Sequence, residues 1–371
     1  MSGNAASCSI LLCAFSPVMP EPNESGSETL RTPRSIHLTA LRGIVAAAML
    51  SAATIGVAGT AVADPGDARV VSVQDVNARQ QNVQVFSPAM NRPIDLQVIR
   101  AADTSKPRPT LYLLNGSGGG PNASGWDAQT DVNGFLQNKD VNVVTPYGGA
   151  NSYYTDWIRN DAKLGYNKWQ TFLNEELPPV IENFLGANQN RSLAGVSMSG
   201  TSVLNLAIAK PGFWKSVAAY SGCAQTSDPI GHEFVRITVE TWGGGESVEN
   251  MWGPADSPLW RANDPLVNAE KLRGTQIYMS TGTGIPGFPH DTPLDPRVQD
   301  GRFPLPLQLG FGGPIEAAIK YCTTNLENRL NQLNIPVTVN NRPVGTHSWG
   351  YWEDDLKSSW PFIAQSLGTG I

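Results

Sequence analysis

Apolar and polar positions along this chain follow two rhythms. A two-residue alternation at 83–90 and again at 94–99 predicts an opening hairpin. Short apolar runs at 109–114, 141–145, 191–194, 217–221, 276–280 and 335–339 are flanked by turn formers and predict buried strands. Longer stretches predict helices at 174–184, 201–209, 317–333 and 353–366. Pro178 and Pro179 disturb the middle of the first of these helices, and Pro211-Gly212 stops the second. Strands that alternate with helices predict an α/β fold with a mostly parallel, doubly wound sheet. Segment 227–263, with Trp242, Trp252 and Trp260, is more than such a core needs. It predicts an inserted cap or lid, or else a structural excursion packed on its own aromatics. A long Pro/Gly-rich loop follows the 276–280 strand and runs to Pro314.

The 191–194 strand and the 201–209 helix meet at Gly195-Val196-Ser197-Met198-Ser199-Gly200. A strand, a sharp turn and a helix around a central Ser form a nucleophile elbow, which lifts the hydroxyl above the sheet and needs small flanking residues. Gly195, Ser199 and Gly200 are small, although the strict pattern has Gly where Ser199 stands. The same letters also suit a tight turn with no chemistry. Ser197 is the candidate nucleophile.

A Ser hydroxyl needs an adjacent base, and His is the usual one. His347 lies in Gly345-Thr346-His347-Ser348-Trp349, between the last strand and the last helix. Ser, then acid, then His is the chain order of an α/β-hydrolase triad. The acid is expected in the loop after the 276–280 strand, where Asp291, Asp295 and Asp300 are candidates and Asp291 comes first. Acyl transfer also needs two donors aimed at the oxyanion. The amide of Met198, after the nucleophile, supplies one. Asn115-Gly116-Ser117-Gly118-Gly119-Gly120 follows an early strand, and its Ser117 amide is expected to supply the other.

Arg31, Arg34 and Arg42 precede an uncharged stretch, 43–63, that ends Ala61-Val62-Ala63. This is the pattern of a signal peptide with cleavage after Ala63. A retained anchor is the alternative, because about 20 residues can span a bilayer. Residues 1–63 are therefore read as leader and signal peptide, and 64–371 as the folded domain. No later segment predicts a membrane span. The net charge of −6, with no basic cluster, argues against a nucleic-acid partner. Of the four cysteines, Cys223 and Cys322 lie in the domain. Export makes a disulfide between them plausible, with two buried thiols as the alternative. No spacing suggests a metal site, and the chemistry calls for no cofactor.

Leu113-Leu114-Asn115-Gly116, Gly125-Trp126-Asp127, Pro146-Tyr147-Gly148-Gly149, Tyr154-Thr155-Asp156-Trp157, Met251-Trp252-Gly253-Pro254 and Gly345-Thr346-His347-Ser348-Trp349 are specific motifs. In these the chain resembles the antigen 85 mycolyltransferase family, secreted α/β-hydrolases that move mycolic acyl groups onto trehalose and cell-wall arabinan. The resemblance implies Ser197 as nucleophile, His347 as base, Ser117 and Met198 as oxyanion amides, and Trp349 as a sugar-binding residue. It places Asn115 where the best-known members have an Asp that binds trehalose, so Asn115 is expected to hydrogen-bond the sugar as a neutral group and an Asp there to bind trehalose more tightly; it places Ser117-Gly118 where they have Leu-Arg. The family's acid, a Glu, aligns here near Pro286.

The expected function is a secreted serine acyltransferase of the cell envelope, with a lipid-ester donor and a trehalose or arabinan acceptor. A secreted carboxylesterase is the alternative, and a non-catalytic surface-binding protein is a third reading. The first two share an acyl-enzyme and differ in whether sugar or water takes the acyl group.

Overall fold

The computed structural model describes residues 67–120 and 124–370. The expected leader and signal peptide, 1–63, lie outside the described residues. Nine strands are found among the described residues: β1 (Arg69–Asp75), β2 (Gln80–Ser87), β3 (Arg92–Ile99), β4 (Thr110–Leu114), β5 (Asn142–Pro146), β6 (Arg191–Val196), β7 (Ser216–Tyr220), β8 (Gln276–Thr281) and β9 (Val337–Asn341). They form one sheet in the order β1-β2-β3-β5-β4-β6-β7-β8-β9. The three N-terminal strands and the β3–β5 pair are antiparallel; from β5 to β9 every pairing is parallel.

Side chains of the parallel strands alternate between two cores. Tyr112, Leu114, Leu193, Val217, Ala219, Ile277 and Met279 face one side. Leu111, Leu113, Ala194, Val196, Ala218, Tyr220 and Tyr278 face the other. A central parallel strand is covered on both faces, so its sequence is apolar throughout rather than alternating. The first side is covered by helices Leu177–Leu185 and Met198–Ala209, the second by helix Trp349–Leu367.

The fold departs from the expected pattern at helix Leu177–Leu185 and at β1, among other places. Pro178 and Pro179 occupy the first turn of helix Leu177–Leu185, and the preceding turn, Phe172–Glu176, is π-helical. Proline is tolerated in a first turn because its missing N–H has no intrahelical acceptor there. Strand β1 was not foreseen. Five of its seven residues are exposed, so no buried face marks it.

Segment 227–263 is inserted between β7 and β8. It holds helices Pro229–Arg236, Glu249–Trp252 and Pro258–Ala262. Trp252 and Trp260 are buried in the first core, with rings edge to face at 5.1 Å, while Trp242 is exposed. Two of the three tryptophans therefore anchor the insertion. Among the described residues, no helix is long and apolar enough to cross a membrane.

Candidate active site

Parallel register brings the C-terminal ends of β4, β6, β7 and β8 to one edge of the sheet, with Leu114 opposite Gly195 and Val196 opposite Tyr220. Ligands bind at this edge in open α/β sheets, because loops from several strands converge there.

Ser197 sits between β6 and helix Met198–Ala209 with φ +57° and ψ −122°. A non-glycine residue held there costs on the order of 1–3 kcal/mol and persists where its surroundings over-determine it. The small flanks are required. A Cβ at Gly195 would lie 2.6 Å from the Ser199 carbonyl oxygen, and one at Gly200 would lie 2.9 Å from the Tyr220 carbonyl oxygen. Ser199, the departure from the strict motif, is fully buried. Its Oγ accepts from the Val196 amide at 2.8 Å and lies within bonding distance of the Leu114 and Val196 carbonyls. The hydroxyl thus joins the elbow to the end of β4.

Ser197 Oγ lies 2.8 Å from His347 Nε2, and His347 Nδ1 lies 2.9 Å from Glu316 Oε2. A carboxylate at Nδ1 fixes the ring proton there and leaves Nε2 to accept from the serine. Glu316 is fully buried on the first turn of helix Gly313–Gln332. Its other oxygen accepts from Ser221 Oγ at 2.8 Å, Thr281 Oγ1 at 3.1 Å and the Gly282 amide at 2.7 Å. Burial pushes its pKa up. The hydrogen bond and charge of His347, with Arg342 and the Gly282 amide, outweigh burial and hold it below the ordinary range. Arg342 stands behind it, paired with buried Asp355, whose own pKa burial raises to about 6 against the pull of the guanidinium. The Trp352 ring packs edge-on against His347 at 4.7 Å.

Asp291, the first-placed acid candidate, does not reach His347. Its carboxylate accepts from Thr346 Oγ1 at 2.5 Å, Tyr351 OH at 2.7 Å and the Gly287 amide at 2.9 Å. Asp295 caps the short helix Pro296–Gln299 and bonds His290, and Asp300 pairs with Arg302. The carboxylate at the imidazole is Glu316, 30 positions beyond the aligned position near Pro286. The intervening segment is not one loop but contains helices Pro296–Gln299 and Leu305–Leu307 and a π-helical turn, Gln308–Gly312.

The Asn115 loop lies beside the nucleophile: a Cβ at Gly116 would come within 3.7 Å of Ser197 Cβ. Ser117 is fixed through its carbonyl, which accepts from the Asn151 amide at 2.9 Å. Met198 begins its helix, so its N–H has no intrahelical acceptor. Asn115 is not offered to a ligand as expected. It is fully buried, its Nδ2 donates to the Pro146 carbonyl at 3.1 Å and its Oδ1 accepts from the Trp126 amide at 3.1 Å. Trp349 likewise presents no open face. It is buried edge-on against Trp126 at 5.4 Å and Trp352 at 5.1 Å. Asn115 thus ties the end of β4 to Pro146 and Trp126, and Trp349 packs into the second core.

Cys223 and Cys322 are joined by a disulfide. It ties the loop after β7 to the helix that carries Glu316.

The chain matches the model of a family described as putative esterases over residues 87–363. It is 32% identical over 338 residues to the diacylglycerol acyltransferase/mycolyltransferase Ag85A of Mycobacterium leprae, covering 88% of this chain and 94% of that one. The crystal structure of Mycobacterium tuberculosis MPT51 (FbpC1) superposes with a TM-score of 0.64 at 23% identity, covering 78% of this chain and all of that one. An S-formylglutathione hydrolase from Agrobacterium tumefaciens shares the fold with a TM-score of 0.53 at 16% identity, covering 81% of this chain and all of that one.

Proposed function

The chain belongs to the antigen 85 group of the putative-esterase family, and from that premise we propose that it is a serine acyltransferase moving a long, mycolate-like acyl chain from a lipid ester to a sugar hydroxyl. The observation that carries the reading is the unbroken relay Ser197–His347–Glu316, at 2.8 and 2.9 Å.

In the proposed reaction His347 Nε2 takes the Ser197 proton as Oγ attacks the ester carbonyl. Glu316 holds the ring in place and stabilises the imidazolium that forms. The Ser117 and Met198 amides receive the oxyanion, and each such donor is typically worth about 100- to 1000-fold in rate. Collapse breaks the ester C–O bond, and His347 returns the proton to the leaving alcohol. A sugar hydroxyl such as that of trehalose or arabinan then gives its proton to His347 Nε2 and attacks the acyl-serine; the acyl–Oγ bond breaks, and His347 returns the proton to Ser197 Oγ.

We place the enzyme in the envelope or outside the cell. The basic residues before 43–63 support export, with cleavage after Ala63 leaving 64–371 as the mature domain. The Cys223–Cys322 bond suits an oxidising compartment.

A second reading, a secreted carboxylesterase, draws on one observation. The two residues expected to hold the sugar, Asn115 and Trp349, are both turned inward. The test is incubation of the purified enzyme with a mycolated trehalose donor and excess trehalose, separating transferred from released acid by mass spectrometry. Transfer supports the acyltransferase. Release of free acid alone at high acceptor concentration gives the esterase.

A further inference from the structure

We propose that Asp291 is a positioning residue for His347, acting through Thr346 on one side of it and Tyr351 on the other; this rests on the reading of His347 as the general base. Asp291 is only 6% exposed. Its Oδ1 accepts from Thr346 Oγ1 at 2.5 Å. Its Oδ2 accepts from Tyr351 OH at 2.7 Å, the Gly287 amide at 2.9 Å and the Thr346 amide at 3.3 Å. Four neutral donors therefore converge on one buried carboxylate. Thr346 and Tyr351 are themselves buried, so neither can replace these bonds with water.

The placement of the donors gives the carboxylate its role. Thr346 is the residue before His347. Tyr351 lies in the first turn of helix Trp349–Leu367, which begins two residues after His347. One side chain thus pins the loop where it enters the histidine and where it leaves. The backbone supplies two further pins from the same connection: the His347 amide donates to the Gly312 carbonyl at 3.0 Å, and the Gly345 amide to the Ile285 carbonyl at 2.7 Å. Asp291 and Gly312 lie on the stretch that leads from β8 into helix Gly313–Gln332, and Glu316 lies on the first turn of that helix. Together they hold the histidine's backbone through Asp291 and its ring through Glu316.

The chemistry of the cluster requires an acceptor-only group. A carboxylate offers lone pairs on both oxygens, whereas an amide offers them on one and presents N–H on the other. With its oxygen toward the Tyr351 hydroxyl and the two amides, asparagine aims an N–H at Thr346 Oγ1; that hydroxyl can accept it, but its own buried proton then loses its acceptor. The weakened clasp frees the residue before His347 to move, and a catalytic group misplaced by about 1 Å can lose about 100-fold in rate.

The experiment measures hydrolysis of p-nitrophenyl butyrate by the mature protein and its variants. Asp291→Asn should lower kcat about 100-fold and leave KM within about twofold, because it moves the base rather than the ester. Tyr351→Phe, which keeps the carboxylate and three donors, should lower kcat roughly five- to tenfold. It carries the same comparison if Asp291→Asn does not fold. The decisive readout is a cycle with His347→Gln. If Asp291 acts through the imidazole, the double variant is no slower than His347→Gln alone. An equal loss in both backgrounds, or a wild-type kcat in folded Asp291→Asn, overturns the proposal. A wild-type protein that neither cleaves the ester nor is labelled at Ser197 by a phosphonate overturns the functional reading beneath it.

Discussion

Glu316 Oε2 and His347 Nδ1 lie 2.9 Å apart, joining the first turn of one helix to the loop just before another. Glu316 is the carboxylate on the imidazole ring, and none of the three aspartates on the preceding connection touches that ring. Glu316→Gln should keep the shape but lose the negative charge that fixes the ring proton and stabilises the imidazolium. A loss of roughly 10^4 in kcat is expected from comparable triads. Asp300→Asn, at an exposed carboxylate paired with Arg302, should leave kcat unchanged. Steady-state ester hydrolysis decides this, and near-normal turnover in Glu316→Gln would remove the carboxylate from the relay.

The position of Asn115 reverses an expectation from the family pattern. Asp at this place was expected to strengthen trehalose binding. Here the Nδ2 donates to the Pro146 carbonyl inside the protein. Asn115→Asp would set two oxygens against each other, with the carboxylate buried, and should cost about 1–3 kcal/mol of stability or more if it stays charged. Thermal denaturation should show a lower Tm, with no fall in the KM for trehalose. An unchanged Tm with a lower KM would return Asn115 to the acceptor site.

Much of this architecture is legible in the residues. Small flanks mark the elbow because a Cβ at Gly195 or Gly200 has no room, and uninterrupted apolar runs mark strands covered on both faces. Glu316 was missed because an acid in a helical first turn ordinarily reads as a solvated partner of the helix dipole. Helical spacing carried a usable signal. Glu316 shares its face with Ile319, Cys322, Thr323, Leu326 and Leu330, all buried. A carboxylate on a core-facing stripe must be paired, and that marks it for function. Asn115 and Trp349 were misplaced for the converse reason. Family motifs give a residue's place in the chain, while its direction depends on neighbours such as Trp126 and Pro146, distant in sequence.

The disulfide closes a separation of 99 residues. Ser221, two residues before Cys223, donates to Glu316, and Cys322 lies six residues after Glu316 on the same helix. Replacing both cysteines by serine should cost about 2–4 kcal/mol. Urea denaturation should show a lower midpoint with a slope equal to or steeper than wild type, because the unlinked unfolded chain exposes more surface. Activity at low denaturant should fall less than stability, since the hydrogen bonds to Glu316 remain. An unchanged midpoint would show that the bond adds nothing to the fold.

His290 offers a test of the segment before Glu316 by pH. Its Nδ1 lies 2.9 Å from Asp295 and its Nε2 2.7 Å from Asp354 on the C-terminal helix. Burial lowers its pKa, but hydrogen bonds to Asp354 and Asp295 and their charges outweigh burial, and the net shift is upward. The folded protein then holds this proton more tightly than the unfolded chain, whose His titrates near 6.5. The contribution to stability is therefore fully present below about pH 6.5 and is lost as pH rises through the folded value. Denaturation midpoints measured across pH 5 to 9 should decline as pH rises above about 6.5. His290→Gln should remove that decline and lower stability mainly on the acid side. A wild type and a His290→Gln variant with parallel pH profiles would show that the clasp carries no linked proton.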